Sequence, residues 1–119
     1  MKYEEWMKKA EEDLDTAIFN LEGDRIDAGL FYLQQAAEKA LKAIYIKTKK
    51  ELIKTHDLVF LSRSLSAPEN IVKFCTLLTP LYQQTRYPDA LPQDISDSIK
   101  EFTSAAKEVL AWTKKQLLI

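Results

Sequence analysis

Apolar residues recur every three or four positions along this chain and almost nowhere alternate, which is the spacing of helices that each bury one face. In the first segment Trp6, Ala10, Leu14, Ala17 and Leu21 line one side with Ile18 beside them. Glu4, Glu5, Glu11, Glu12 and Asp13 take much of the rest, and Gly23-Asp24 ends the segment. A second segment runs from about Arg25 to Lys49 on a stripe of Ile26, Leu30, Leu33, Ala37, Leu41 and Ile44. Ala36, Ala40 and Ala43 widen that stripe with small side chains, so another helix can approach closely.

Punctuation residues mark the remaining elements. Thr55-His56-Asp57 offers capping side chains to a short helix near Leu58–Leu65. Ser66-Ala67-Pro68-Glu69 has the spacing of a capping box, with proline tolerated in the first turn. It predicts a helix carrying Ile71, Phe74, Cys75, Leu78, Leu81 and Tyr82, which Pro80 should kink or end. Asp94 is the expected N-cap of a last helix with Ile95, Ile99, Phe102, Ala106, Val109 and Thr113 as its stripe and Trp112 flanking it. Connections are short except 86–93. The expected fold is therefore all-α, one domain over 1–119, an antiparallel up-down bundle of four long helices plus one short one.

Composition narrows the function classes. A net charge of −1 leaves any attraction for a polyanion to local patches. The lone Cys75 excludes an internal disulfide, fits a reducing cytoplasm and sits at an apolar stripe position, as a small core residue would. His56 is the only histidine, so one chain cannot assemble a histidine-based metal cluster or a Ser-His-Asp triad, and no metal or cofactor is expected. No apolar run approaches the roughly 20 residues of a membrane span.

Candidate chemistry concentrates in a few places. Arg86-Tyr87-Pro88-Asp89 sets a permanent cation, a phenol and a carboxylate in a stretch that Pro88 and Pro92 keep turned or extended. Arg86 there can hold an anion or a nucleotide, or it can bond the last carbonyls of a helix, with Asp89 pairing to it. On the second helix Phe31, Gln35, Glu38 and Lys42 share a stripe away from the core face. That stripe is either a solvated face with an i,i+4 ion pair or a polar seam facing a cleft or a partner subunit. His56 and Asp57 read first as capping and loop-packing residues. Lys47, Lys49, Lys50 and Lys54 crowd a helix C-terminus, where the helix dipole alone accounts for them; an RNA contact is the alternative.

Taken in order, these pieces resemble the HEPN superfamily of small helical domains (higher eukaryotes and prokaryotes nucleotide-binding). The matching stretches are Trp6 with Glu12-Asp13-Leu14, the run from Phe31 to Ala43, Thr55-His56-Asp57-Leu58, Arg86-Tyr87-Pro88-Asp89, and a last helix with Ala105-Ala106 and Trp112. The resemblance implies a bundle that forms a homodimer, with irregular loops of two protomers lining a shared cleft. It also implies a minimal nucleotidyltransferase as partner, in a toxin–antitoxin-like pair. Members that cut RNA carry an arginine and, after four to six intervening residues, a histidine. From Arg86 those positions are Leu91, Pro92 and Gln93, and neither Arg25 nor Arg63 is followed by one.

The expectation is a cytoplasmic homodimer that binds a nucleotide or RNA phosphate with little or no catalysis. Arg86 would hold the anion, Tyr87 would stack or donate its hydroxyl, and Asp89 would orient Arg86. Gln35, Glu38 and Lys42 would line the cleft or dimer seam. Two alternatives stand beside it: a metal-independent endoribonuclease in which His56 moves protons for Arg86, and an interaction module in which the Arg86 turn is purely structural.

Overall fold

A computed structural model of the chain describes residues 2–91 and 95–118. Among these residues the structure is entirely helical and contains six helices: α1 (Tyr3–Glu22), α2 (Ile26–Lys49), α3 (Leu58–Ser64), α4 (Glu69–Leu78), α5 (Leu81–Gln84) and α6 (Ser96–Leu117). The up-down bundle is as expected. The apolar stripe of α1 packs along α2 as an antiparallel hairpin, closed by Arg25 N–H donating to Asn20 O at 2.7 Å. The left-handed residue of that turn is Asp24 (φ 62°) rather than Gly23, a conformation that aspartate tolerates better than most side chains.

Helix α2 touches every other helix and forms the centre of the molecule. Leu30, Leu33, Ala37 and Leu41 are fully buried in the main core with Leu58, Leu61, Leu78 and Val109. Each such leucine contributes about 1.5–3 kcal/mol relative to an exposed one. Ala36, Ala40 and Ala43 form a second cluster with Met7, Ala10 and Leu110, where their small size lets α1 and α6 come close. Gly29 serves the same end: a Cβ there would lie 2.5 Å from Leu21 Cγ on α1.

Two local expectations are corrected. Ser66 does not cap α4; it adopts a left-handed φ of 54° in the turn that closes α3, and Pro68 occupies the N-cap position with Glu69 first in the helix. The physical reason is Pro68 itself, which disfavours helical backbone at the residue before it. Leu81 and Tyr82 do not extend α4; of the kink or end expected at Pro80, the structure shows the end. Pro80 has no N–H to continue the ladder, so α4 stops at Leu78 and the chain restarts as α5. The predicted caps and bends at Asp94 and Pro92 lie outside the described residues. The first described turn of α6 has Ile95 at its N-cap position.

The break at Pro80 positions the candidate site. Asp57 caps α3 by accepting from Val59 N (3.0 Å) and Phe60 N (3.1 Å), and Thr79 Oγ1 accepts from Leu58 N at 3.1 Å. The start of α3 is thereby fastened to the end of α4, and both face the polar side of α2. Among the described residues no helix is long and apolar enough to cross a membrane.

Candidate functional site

The polar stripe of α2 is not a solvated face. Glu38 and Lys42 are 5% and 6% exposed, closed over by the segment that leads into α3. Charges this deep must be paired. Lys42 Nζ donates to Glu38 Oε2 at 3.0 Å, and His56 Nδ1 lies 2.9 Å from Glu38 Oε1. Gln34 Nε2 donates both to Glu38 Oε1 (3.2 Å) and to the His56 carbonyl (3.1 Å). Glu38 thus receives three donors, which is why one helix turn and a loop residue can share a carboxylate away from water.

The same carboxylate assigns a hydrogen to one nitrogen of the imidazole. A carboxylate only accepts hydrogen bonds, so Nδ1 carries the hydrogen and Nε2 is left for another partner. The His56 side chain is half exposed and lines an open groove of about 510 Å³ with Asp57, Thr79, Tyr82 and Tyr87. His56 therefore does more than fill a loop: its position is set by a buried acid on one side and an open groove on the other.

Tyr82 is the centre of an aromatic stack. The His56 ring lies on it with centroids 3.7 Å apart and planes 14° from parallel. The Arg86 guanidinium carbon lies 4.2 Å from the same ring's centroid. Two planar groups cannot share one ring face at those distances, so His56 and Arg86 take opposite faces of Tyr82. Phe31 packs nearby, its centroid 5.9 Å from that of Tyr82, which is why it does not sit in water.

Arg86 reaches Tyr82 because the backbone stays helical past α5. Thr85 N donates to Leu81 O, and Arg86 N donates to Gln83 O at 3.1 Å, so residues 82 and 86 face the same way at i,i+4. The next residues leave that path. Ala90 N donates to Tyr87 O at 3.3 Å across a turn with Pro88 at its second position, where proline's fixed φ fits. This geometry corrects the expected role of Asp89. It is exposed on the turn, and among the described residues no ion pair joins it to Arg86, whose partner is the Tyr82 ring.

The remaining candidates sort as follows. Tyr87 is 57% exposed at the groove, and Asp57 lines it while capping α3. Gln35 stands one step behind the site: it donates to Gln34 Oε1 (2.7 Å) and accepts from Lys39 (3.1 Å). Lys39 in turn donates to buried Asp13 of α1 at 2.6 Å. A continuous polar chain therefore runs from α1 through Gln35 and Gln34 to Glu38 and His56. Lys47 donates to the Leu117 carbonyl at 2.6 Å and Lys49 lies over Tyr45, so these lysines serve helix ends and packing. Cys75 is buried in the core, and burial pushes its thiol up to about 11. Among the described residues no group of three or more His, Cys, Asp or Glu side chains could hold a metal ion.

Two site residues escape a reading of the sequence. Gln34 falls at i−4 from Glu38, a spacing that would have found it beside Lys42 at i+4. Tyr82 hides in an apolar stripe until Pro80 is taken as a full stop rather than a kink.

Comparison with known proteins adds three findings. A family model described as HEPN domain matches residues 3–117. The fold is similar to TT1696 from Thermus thermophilus, with a TM-score of 0.82 and 26% identity over 96% of this chain and 97% of that one. It is also similar to ST0689, an archaeal HEPN homologue, with a TM-score of 0.79 and 28% identity over 98% of each chain. No curated protein matches the sequence.

Proposed function

Because this chain belongs to the HEPN domain family, we propose that the groove beside Tyr82 binds a nucleotide or an RNA phosphate, with little or no catalysis. The observation that carries this reading is the stack of His56, Tyr82 and Arg86 fastened to buried Glu38. Arg86 holds the phosphate: its guanidinium carbon lies 4.2 Å from the Tyr82 ring centroid, and among the described residues no ion pair takes up its N–H groups. Tyr87, exposed at the groove, stacks on a base. Asp57 and His56 line the same groove as Tyr87.

The test is titration of ATP and of a short oligo(A) RNA by calorimetry. Arg86→Ala removes a charge-assisted contact, so binding should weaken about 10- to 100-fold, from roughly 1.5–3 kcal/mol. Unchanged affinity, together with lost thermal stability, would leave the Arg86 turn a purely structural device and refute the reading.

The homodimer and the minimal nucleotidyltransferase partner rest on the family resemblance. Sedimentation should show a dimer, and a monomer at high micromolar concentration removes the shared-cleft part of the proposal. Co-expression with the product of the neighbouring reading frame tests the partner.

One observation favours a second reading, a metal-independent endoribonuclease. Glu38 orients His56 as an acid orients a general base, and Arg86 lies across a single ring from it. RNA decay by the pure protein that is abolished in both His56→Ala and Arg86→Ala would favour it.

A further inference from the structure

Resting on the nucleotide-binding reading above, we propose that the groove selects ribose over deoxyribose, with His56 Nε2 and the free oxygen of Asp57 accepting the sugar hydroxyls. The argument starts at Glu38. Its Oε2 takes Lys42 and its Oε1 takes His56 Nδ1 and Gln34, so the imidazole hydrogen is committed to the buried side. The second ring nitrogen has no hydrogen-bond partner among the described residues, and it belongs to a half-exposed ring that lines the groove. In the neutral ring it presents a lone pair.

Asp57, the next residue, is similarly committed. Oδ1 accepts both Val59 N and Phe60 N, which leaves Oδ2 as a second acceptor on the same wall. Two uncommitted acceptors on consecutive residues of one groove suit a ligand that offers two neighbouring donors. In a nucleotide the 2′- and 3′-hydroxyls of ribose do so, as do N1–H and N2–H2 of guanine; an adenine nucleotide has only the ribose pair, and a deoxyribose forfeits one of its two hydroxyls. A carboxylate accepting from a ribose hydroxyl is a recurring solution in dinucleotide sites.

Binding of ATP and of 2′-deoxyATP to the full chain tests this, with the ratio of the two dissociation constants as the readout. The native protein should prefer ATP by about tenfold or more, the weight of one hydrogen bond to a charged acceptor. Glu38→Gln should abolish the preference by reversing the site's polarity. Lys42 can only donate and carries the charge, so the new amide turns its oxygen to Lys42 and its NH2 to His56 Nδ1, which moves the imidazole hydrogen to Nε2, while Gln34 Nε2 loses this acceptor and keeps the His56 carbonyl.

Asp57→Asn is the second variant and keeps the α3 cap. Its oxygen stays on Val59 N and Phe60 N, and its NH2 replaces the free acceptor, so the ratio should fall by severalfold. Equal binding of ATP and 2′-deoxyATP by the native protein would overturn the inference while leaving nucleotide binding intact. A preference that survives both substitutions would overturn the assignment of the two acceptors. Binding of neither nucleotide would remove the underlying reading, and the inference with it.

Discussion

Removing Glu38 and removing Lys42 should have unequal consequences, although the two form one ion pair. Lys42 is 6% exposed, and its ammonium is bonded to Glu38 alone among the described residues. Glu38→Ala therefore strands a buried cation, at a cost of about 3–5 kcal/mol. Lys42→Ala leaves Glu38 with two donors, Gln34 and His56. Its cost should be about 1–3 kcal/mol, the range for a buried group that loses one partner. Replacing both, as Glu38→Leu with Lys42→Met, removes both charges and keeps the volume. Gln34 retains its bond to the His56 carbonyl, and His56 turns to water. The double variant should be more stable than Glu38→Ala. Urea unfolding followed by far-ultraviolet circular dichroism measures all three. With a slope of about 1–2 kcal/mol/M, Glu38→Ala should move the midpoint down by about 1.5 M or more. The reasoning fails if Glu38→Ala costs under about 1 kcal/mol, or if Lys42→Ala is the more damaging change.

Two further outcomes follow from packing and burial. Gly29→Ala places a methyl 2.5 Å from Leu21 Cγ and Cδ2 and 3.2 Å from the Ala17 carbonyl, so overpacking of about 1–3 kcal/mol should outweigh the roughly 0.5–1 kcal/mol gained in helix propensity; a raised melting temperature would contradict the close approach of α1 and α2. Burial holds the Cys75 thiol protonated up to about 11, whereas the unfolded chain ionises near the usual 9.0. The unfolded state therefore loses its proton first, and stability should fall as pH rises from 9 to about 11, by about 2–3 kcal/mol. Cys75→Ala should flatten that part of the profile relative to native protein, and an equal slope in both would refute the assignment.

How much of the site is legible in the sequence depends on the range of the physics involved. The 3.6-residue period puts Glu38 and Lys42 on one side of α2, away from Leu33, Ala37 and Leu41, and it distinguishes a solvated face from a covered seam no further than that. Their burial depends on the segment 51–57 folding across α2, a contact between residues far apart in the chain. The same limit explains the exchange of Gln35 for Gln34. Both are plausible by position, and only the carbonyl of His56 selects between them. Nearness in sequence pairs Asp89 with Arg86, whereas the helical backbone through Thr85 turns the guanidinium back onto Tyr82.

Local rules are sufficient wherever a single residue dictates its own backbone or a helix face repeats. They yield the helical class, the up-down order, the buried stripes, the Asp57 cap and the interruption at Pro80. Tertiary structure alone decides that a loop histidine stacks on a tyrosine from a helix restarted after proline, and that a buried acid of α2 anchors that histidine. Those choices follow from hydrogen-bond and stacking distances of about 3–4 Å, between side chains whose separation along the chain carries no information about their separation in space.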